Sequence, residues 1–142
     1  MIGRFARQSM LAAALAVLAA CGDDSTAPDD EDVAGVYTLL SINGQQLPAV
    51  VQQQGSDRAE ITQGSITLNQ NGTFTDVVQV RFTISGQVSS QTETATGNWT
   101  LNGTTVTLNP TSPQGSTSYT MTWDGNDRLT QLFEGFTLVY GR

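Results

Sequence analysis

Nucleophilic, acid–base and metal chemistry each draw on a short list of side chains, and this chain of 142 residues carries few of them. It has no His and no Lys, and Cys21 is its only cysteine. A Ser-His-Asp or Cys-His arrangement, a Ser-Lys dyad, a Schiff base and a His/Cys zinc site are therefore closed to it once Cys21 is occupied. Its glycines stand singly in turn-like contexts with no helix start behind them, so a phosphate-cradling loop is missing as well. What remains is carboxylate chemistry, and chemistry performed on Cys21 by other enzymes. The expectation is a protein that is not an enzyme and needs no cofactor or metal.

Among the carboxylates Asp76 stands out, because its parity in an alternating stretch puts it on the same face as Phe74 and Val78. Buried there, it would need a partner such as Arg81 or a raised pKa to offset the cost of desolvation. Unpaired buried Asp is rare, so the favoured expectation is a rim position near Asn71-Gly72, in water. The other acids are concentrated: Gly22 to Asp32 hold six of them with one proline and no large apolar residue. That composition cannot bury enough surface to order itself and reads as an extended tether. A calcium loop would need spaced ligands and a turn glycine, which the run lacks.

Cys21 has a specific setting. Arg4 and Arg7 precede an apolar run from Met10 to Ala20, the order found in signal peptides. The run is shorter than the roughly 17–25 residues of a membrane-crossing helix, so a permanent anchor must come from elsewhere. Leu18-Ala19-Ala20-Cys21 resembles the bacterial lipobox. The resemblance implies a diacylglycerol on the Cys21 sulfur, cleavage just before it, and further acylation of the new amine. An ordinary secretory peptide with a coincidental cysteine is the alternative. One acyl chain binds a membrane only marginally, and several hold it in effect permanently. Gly22, in the place where Asp would retain the protein in the inner membrane, implies the periplasmic face of the outer membrane. The expected organisation is thus a signal peptide over 1–20, a lipidated cysteine and acidic tether over 21–32, and a folded domain over 33–142.

That domain keeps four arginines against seven acids, which leaves no basic footprint for nucleic acid. Without disulfides it must stand on its core, and at about 110 residues it is one domain of ordinary size. β-branched and aromatic residues recur in short runs separated by Asn-Gly, Ser-Gly and Asp-Gly, with no sustained helical stripe. Strands are expected near 35–43, 60–69, 73–84, 87–101, 104–109, 116–123, 128–133 and 136–141. This makes an all-β, antiparallel meander of about eight strands, closing into an up-and-down barrel that removes open edges, or else a two-layer β-sandwich.

Turn chemistry sets the expected register. A two-residue turn at Asn102-Gly103 pairs Leu101 with Thr104 and Trp99 with Val106. A three-residue loop at Asn71-Gly72 sets Phe74 opposite Leu68, and Glu134-Gly135 sets Phe133 beside Phe136 and Leu129 beside Tyr140. Beyond Phe74, the residues Val78, Val80, Phe82 and Ile84 share one face, with Gln79, Arg81 and Thr83 on a wet one. The motifs Gly35-Val36-Tyr37, Gly72-Thr73-Phe74, Gly97-Asn98-Trp99 and Leu138-Val139-Tyr140-Gly141-Arg142 together resemble small bacterial lipocalin-like domains. Tyr37 stands where most lipocalins have Trp. The opening from Tyr37 to Gly44 is also similar to META-type domains of envelope lipoproteins.

An eight-stranded barrel either fills with side chains or holds one small ligand. The candidate ligand-binding residues are Phe82, Trp99, Leu108, Tyr119 and Met121, with a small apolar ligand as the expected partner. A solid core serving a structural or protein-interaction role is the alternative. The segment from Gln45 to Arg58 loses alternation and is expected as the longest loop. Its Leu47, Pro48, Val50 and Val51 would form a lid over one barrel mouth or plain cover for the core.

Overall fold

The computed structural model describes residues 30–112 and 117–142. The signal peptide, Cys21 with its lipobox, and nearly all of the tether lie outside the described residues. One helical turn, α1 (Asp30–Val33), leads into ten strands: β1 (Gly35–Ile42), β2 (Gln45–Gln46), β3 (Ala49–Gln54), β4 (Asp57–Leu68), β5 (Thr73–Ile84), β6 (Gln87–Asn102), β7 (Thr105–Pro110), β8 (Tyr119–Trp123), β9 (Arg128–Phe133) and β10 (Phe136–Gly141).

From β4 to β10 each strand pairs antiparallel with the next, and β1 closes the circle between β10 and β4. Leu39 lies opposite Tyr140 on one flank of β1, and Tyr37 opposite Ile66 on the other. The fold is the expected all-β barrel of eight antiparallel strands in meander order, with β2 and β3 added at its margins. Closure leaves these eight strands few bare edges, the usual reason a single sheet of this size curls on itself.

Alternation builds the core. Along β1 the side chains of Tyr37, Leu39 and Ile42 point in and are buried, while Val36, Thr38 and Leu40 point out. The interior is packed by Tyr37, Ile66, Leu68, Phe74, Val106, Leu108, Met121, Leu129 and Tyr140, each buried to 2% exposure or less. Fully burying such side chains contributes about 1.5–3 kcal/mol apiece. Along β5 the alternation holds at Phe74, but from Thr75 to Thr83 both faces are half-covered, so the expected wet face is drier than its polar residues imply.

The turns bear out part of the expected register. Positive φ at both central residues of Asn43-Gly44, Ser85-Gly86 and Glu134-Gly135 is the type I′ geometry that matches strand twist. Phe133 pairs with Phe136 and Leu129 with Tyr140, and Leu68 pairs with Phe74, all as expected. The Asn102-Gly103 hairpin differs: its loop is Gly103-Thr104, so Leu101 faces Val106 and Trp99 faces Leu108. Only Gly103 takes a positive φ there, the pattern of a type II′ turn with glycine first. The shift spans two residues, so the buried face is unchanged.

The segment expected as the longest loop is mostly strand. β3 pairs with the first part of β4, from Ala49 opposite Ile61 to Gln54 opposite Asp57. Leu47 and Val51 pack against the core, whereas Pro48 and Val50 stay exposed, so two of the four apolar residues expected as lid or cover serve as core cover. Three consecutive glutamines hide the strand from a pattern reading, because their backbone pairs without any side chain needing burial. β4 accordingly starts at Asp57 rather than Glu60.

The antiparallel order gives the barrel two distinct ends. The entry end gathers α1, the loops 69–72, 103–104 and 124–127, and Arg142. Here Val33 is fully buried and its carbonyl accepts a hydrogen bond from the Tyr37 hydroxyl at 2.8 Å. The Arg142 guanidinium donates to the carbonyls of Asp32, Ala34 and Asn126 and lies 5.3 Å from the Tyr37 ring centre. The far end carries the turns 43–44, 55–56, 85–86 and 134–135. There β4, β5 and β6 run on past their other neighbours and, with β3, form a four-stranded extension.

Candidate functional site

Two bulges shape the far end. Val51 is the extra residue of β3 and Thr62 that of β4, and a bulge redirects side chains where it interrupts the ladder. Val51 and Ile61 turn toward the mouth of the barrel, where they meet Ile42 at the end of β1 and its cross-strand neighbour Leu138. The type I′ turn at Glu134-Gly135 brings Phe133 and Phe136 together on the opposite wall. With Gln52 and Glu134 these residues enclose a predominantly apolar groove of about 230 Å³. Phe133 remains half-exposed at its lip, and Thr62 is fixed by hydrogen bonds to the backbone and side chain of Gln79.

Beneath the mouth, a polar contact crosses the barrel interior. The hydroxyl of Tyr119 on β8 donates to Asp76 Oδ2 on β5 at 2.8 Å, and the Tyr119 ring meets Phe74 edge-on at 6.3 Å. Asp76 is therefore inside the barrel rather than in water at a rim, and its partner is Tyr119 rather than Arg81. Its Oδ1 is buried without a hydrogen-bond partner. Burial pushes the Asp76 carboxyl above the ordinary carboxylate range, and the Tyr119 hydrogen bond only partly offsets this. The same burial, with the negative charge of Asp76 nearby, raises the hydroxyls of Tyr119 and Tyr140.

Arg81 is engaged elsewhere. Glu60, buried on β4, accepts from Arg81 at 2.9 and 3.0 Å and lies 3.3 Å from Arg58. Arg81 is its direct cross-strand neighbour, so the ladder register itself delivers the pairing. The triad braces the extension on the face away from the groove.

The five expected ligand residues do not meet in one hollow. Trp99, Leu108 and Met121 belong to the packed interior, and Tyr119 packs against it while holding Asp76. Phe82 lies on the extension and lines a separate hollow of about 160 Å³ with Ala59, Ile84, Arg58 and glutamines. A larger hollow of about 460 Å³, between β1 and β4, is walled mainly by Thr, Gln and Ser. The groove residues were open to sequence reading only in part. Paired phenylalanines flanking Glu134-Gly135 signalled one wall, whereas Val51 and Ile61 depend on bulges that no pattern announces.

No family model, no curated protein and no solved structure matches this chain.

Proposed function

We propose that the mature chain is a non-catalytic envelope lipoprotein, anchored through lipid on Cys21 at the periplasmic face of the outer membrane. Its lipocalin-like barrel binds a small apolar ligand in the groove between Val51, Ile61, Phe133 and Phe136. The observation that carries the binding reading is the groove itself: apolar walls drawn from β1, β3, β4, β9 and β10, open to solvent, with a half-exposed phenylalanine at the lip. Ligand sites are concave and mostly apolar with few polar groups, and this groove offers Gln52 and Glu134 as those groups. Its size suits a short acyl segment or a single ring. The lipobox-like Leu18-Ala19-Ala20-Cys21 supports the anchor.

A photoreactive fatty acid supplied to cells expressing the full chain tests the binding. Adducts are expected on peptides containing Ile42, Val51 or Phe136, and Phe133→Asp is expected to cut their yield several-fold. Yield unchanged by that substitution would remove the groove from the reading. Alkyne-palmitate labelling of the same cells tests the anchor separately: Cys21→Ala is expected to lose label and membrane association, and retained label overturns it.

A second reading, a solid barrel that works through protein contacts, draws support from the large side chains filling the interior. A discrete protein adduct in intact cells, with no lipid adduct, would favour it.

A further inference from the structure

We propose that β6 is a dimerisation edge, at which two copies of this chain pair antiparallel across a twofold axis at Gln91. Long flat strand edges are normally protected by a proline, a bulge, several charges or a covering element. The stretch from Gln87 to Ala95 has no proline and one charge, Glu93. Its pairing with β5 runs without a register shift from Ile84–Gln87 to Thr73–Asn98. Every residue from Gln87 to Thr94 is exposed. Among the described residues, no strand pairs with its other side, since β7 joins β6 only from Gly97 onward.

Which backbone groups face that open side follows from the hairpin. Ile84 and Gln87 flank a two-residue turn and exchange hydrogen bonds, so successive residues of β6 alternate between β5 and the free edge. Val88, Ser90, Thr92 and Thr94 face outward. The bonds farther along obey the same parity: the Trp99 amide donates to Gly72 on the β5 side, and the Thr96 carbonyl accepts from Thr111 on the other.

The twofold register about Gln91 sets Ser90 against Thr92 and Val88 against Thr94, so each outward residue meets another outward residue. Moving the axis to Ser90 sets Thr94 against Gly86 in the turn. Moving it to Thr92 sets Val88 against Thr96, whose carbonyl is already engaged. The Gln91 register also places Glu93 opposite Ser89, so no like charges oppose each other across the seam. A second copy is the occupant this favours: the edge is self-complementary, and an isologous pairing buries both free edges and then stops growing. Anchoring of both copies to one membrane would raise their effective concentration further.

Cysteine substitution in the full chain, expressed in an oxidising envelope, tests the register. A non-hydrogen-bonded antiparallel pair has Cα atoms about 4.5 Å apart, within the roughly 4.4–6.8 Å that a disulfide spans. Gln91→Cys is expected to give a covalent dimer on a non-reducing gel. Ser89→Cys alone is expected not to, because its twofold mate lies roughly 13 Å along the strand. Ser89→Cys co-expressed with Glu93→Cys should restore the crosslink. Thr92→Pro removes an outward amide while leaving the β5 side intact, and should convert a dimer in detergent, sized by light scattering, to a monomer. Equal crosslinking of Gln91→Cys and Ser89→Cys, a monomeric unmodified chain, or a crosslink to another protein instead would each overturn the proposal.

Discussion

Asp76 has one carboxyl oxygen satisfied and one stranded, and both lie in the barrel interior. Its folded-state pKa is raised, with desolvation as the main cause, so the folded chain holds the proton more tightly than the unfolded chain. Stability from this group is then fully present below about the ordinary value of 3.8 and falls as pH rises from there to the raised pKa. Within that window the slope approaches about 1.4 kcal/mol per pH unit. Asp76→Asn should abolish that component: the stability of the original chain relative to the variant is expected to decline across the window, read from denaturant midpoints at successive pH values. A flat difference would place Asp76 in water. Steric limits act at the same scale. A Cβ on Gly97 would run into backbone, the Asn109 carbonyl and the Pro110 Cα, whereas one on Gly64 would meet side-chain atoms of the buried Leu39, its Cβ and Cδ2, each at 2.9 Å. Gly97→Ala is expected to cost about 1–3 kcal/mol and Gly64→Ala less, measured by the same denaturation.

At the level of elements, α1 is clamped to the barrel from two sides. Tyr37 holds the Val33 carbonyl from below, and Arg142 ties Asp32, Ala34 and Asn126 from the side. Arg142→Ala should cost roughly 1–3 kcal/mol and speed amide exchange selectively at the Ala34 amide, which donates to Asp30. Uniformly faster exchange would instead mean that the whole barrel had loosened. Most of the barrel could be read from alternation and turn residues, because β-branched runs bounded by Asn-Gly and Glu-Gly leave little choice of element. The failures have physical causes. Gln52-Gln53-Gln54 pair by backbone alone and carry no burial pattern. At Asn102-Gly103 one residue decides between two loops of the same parity. Glu60 reads as a solvent residue until the register sets it beside Arg81. Asp76 finds its partner on β8, across the barrel and 43 positions away, a distance over which no local spacing signals contact.

For the whole molecule, the chain enters at one end while the apolar groove and the β3–β6 extension occupy the other. The proposed ligand binding and edge pairing would therefore both belong to the end away from Asp30. The arrangement of β1 adds a mechanical property. β4 flanks it through Gly35–Thr38 and β10 through Thr38–Ile42, both antiparallel. A pull on Asp30, opposed by a grip on the far end, runs along the axis of β1 and loads the bonds on both flanks at once, in shear. Peeling, which would break them singly, needs a force directed across the strand. Tension between the entry end and the mouth would therefore meet the bonds of β1 together rather than one after another.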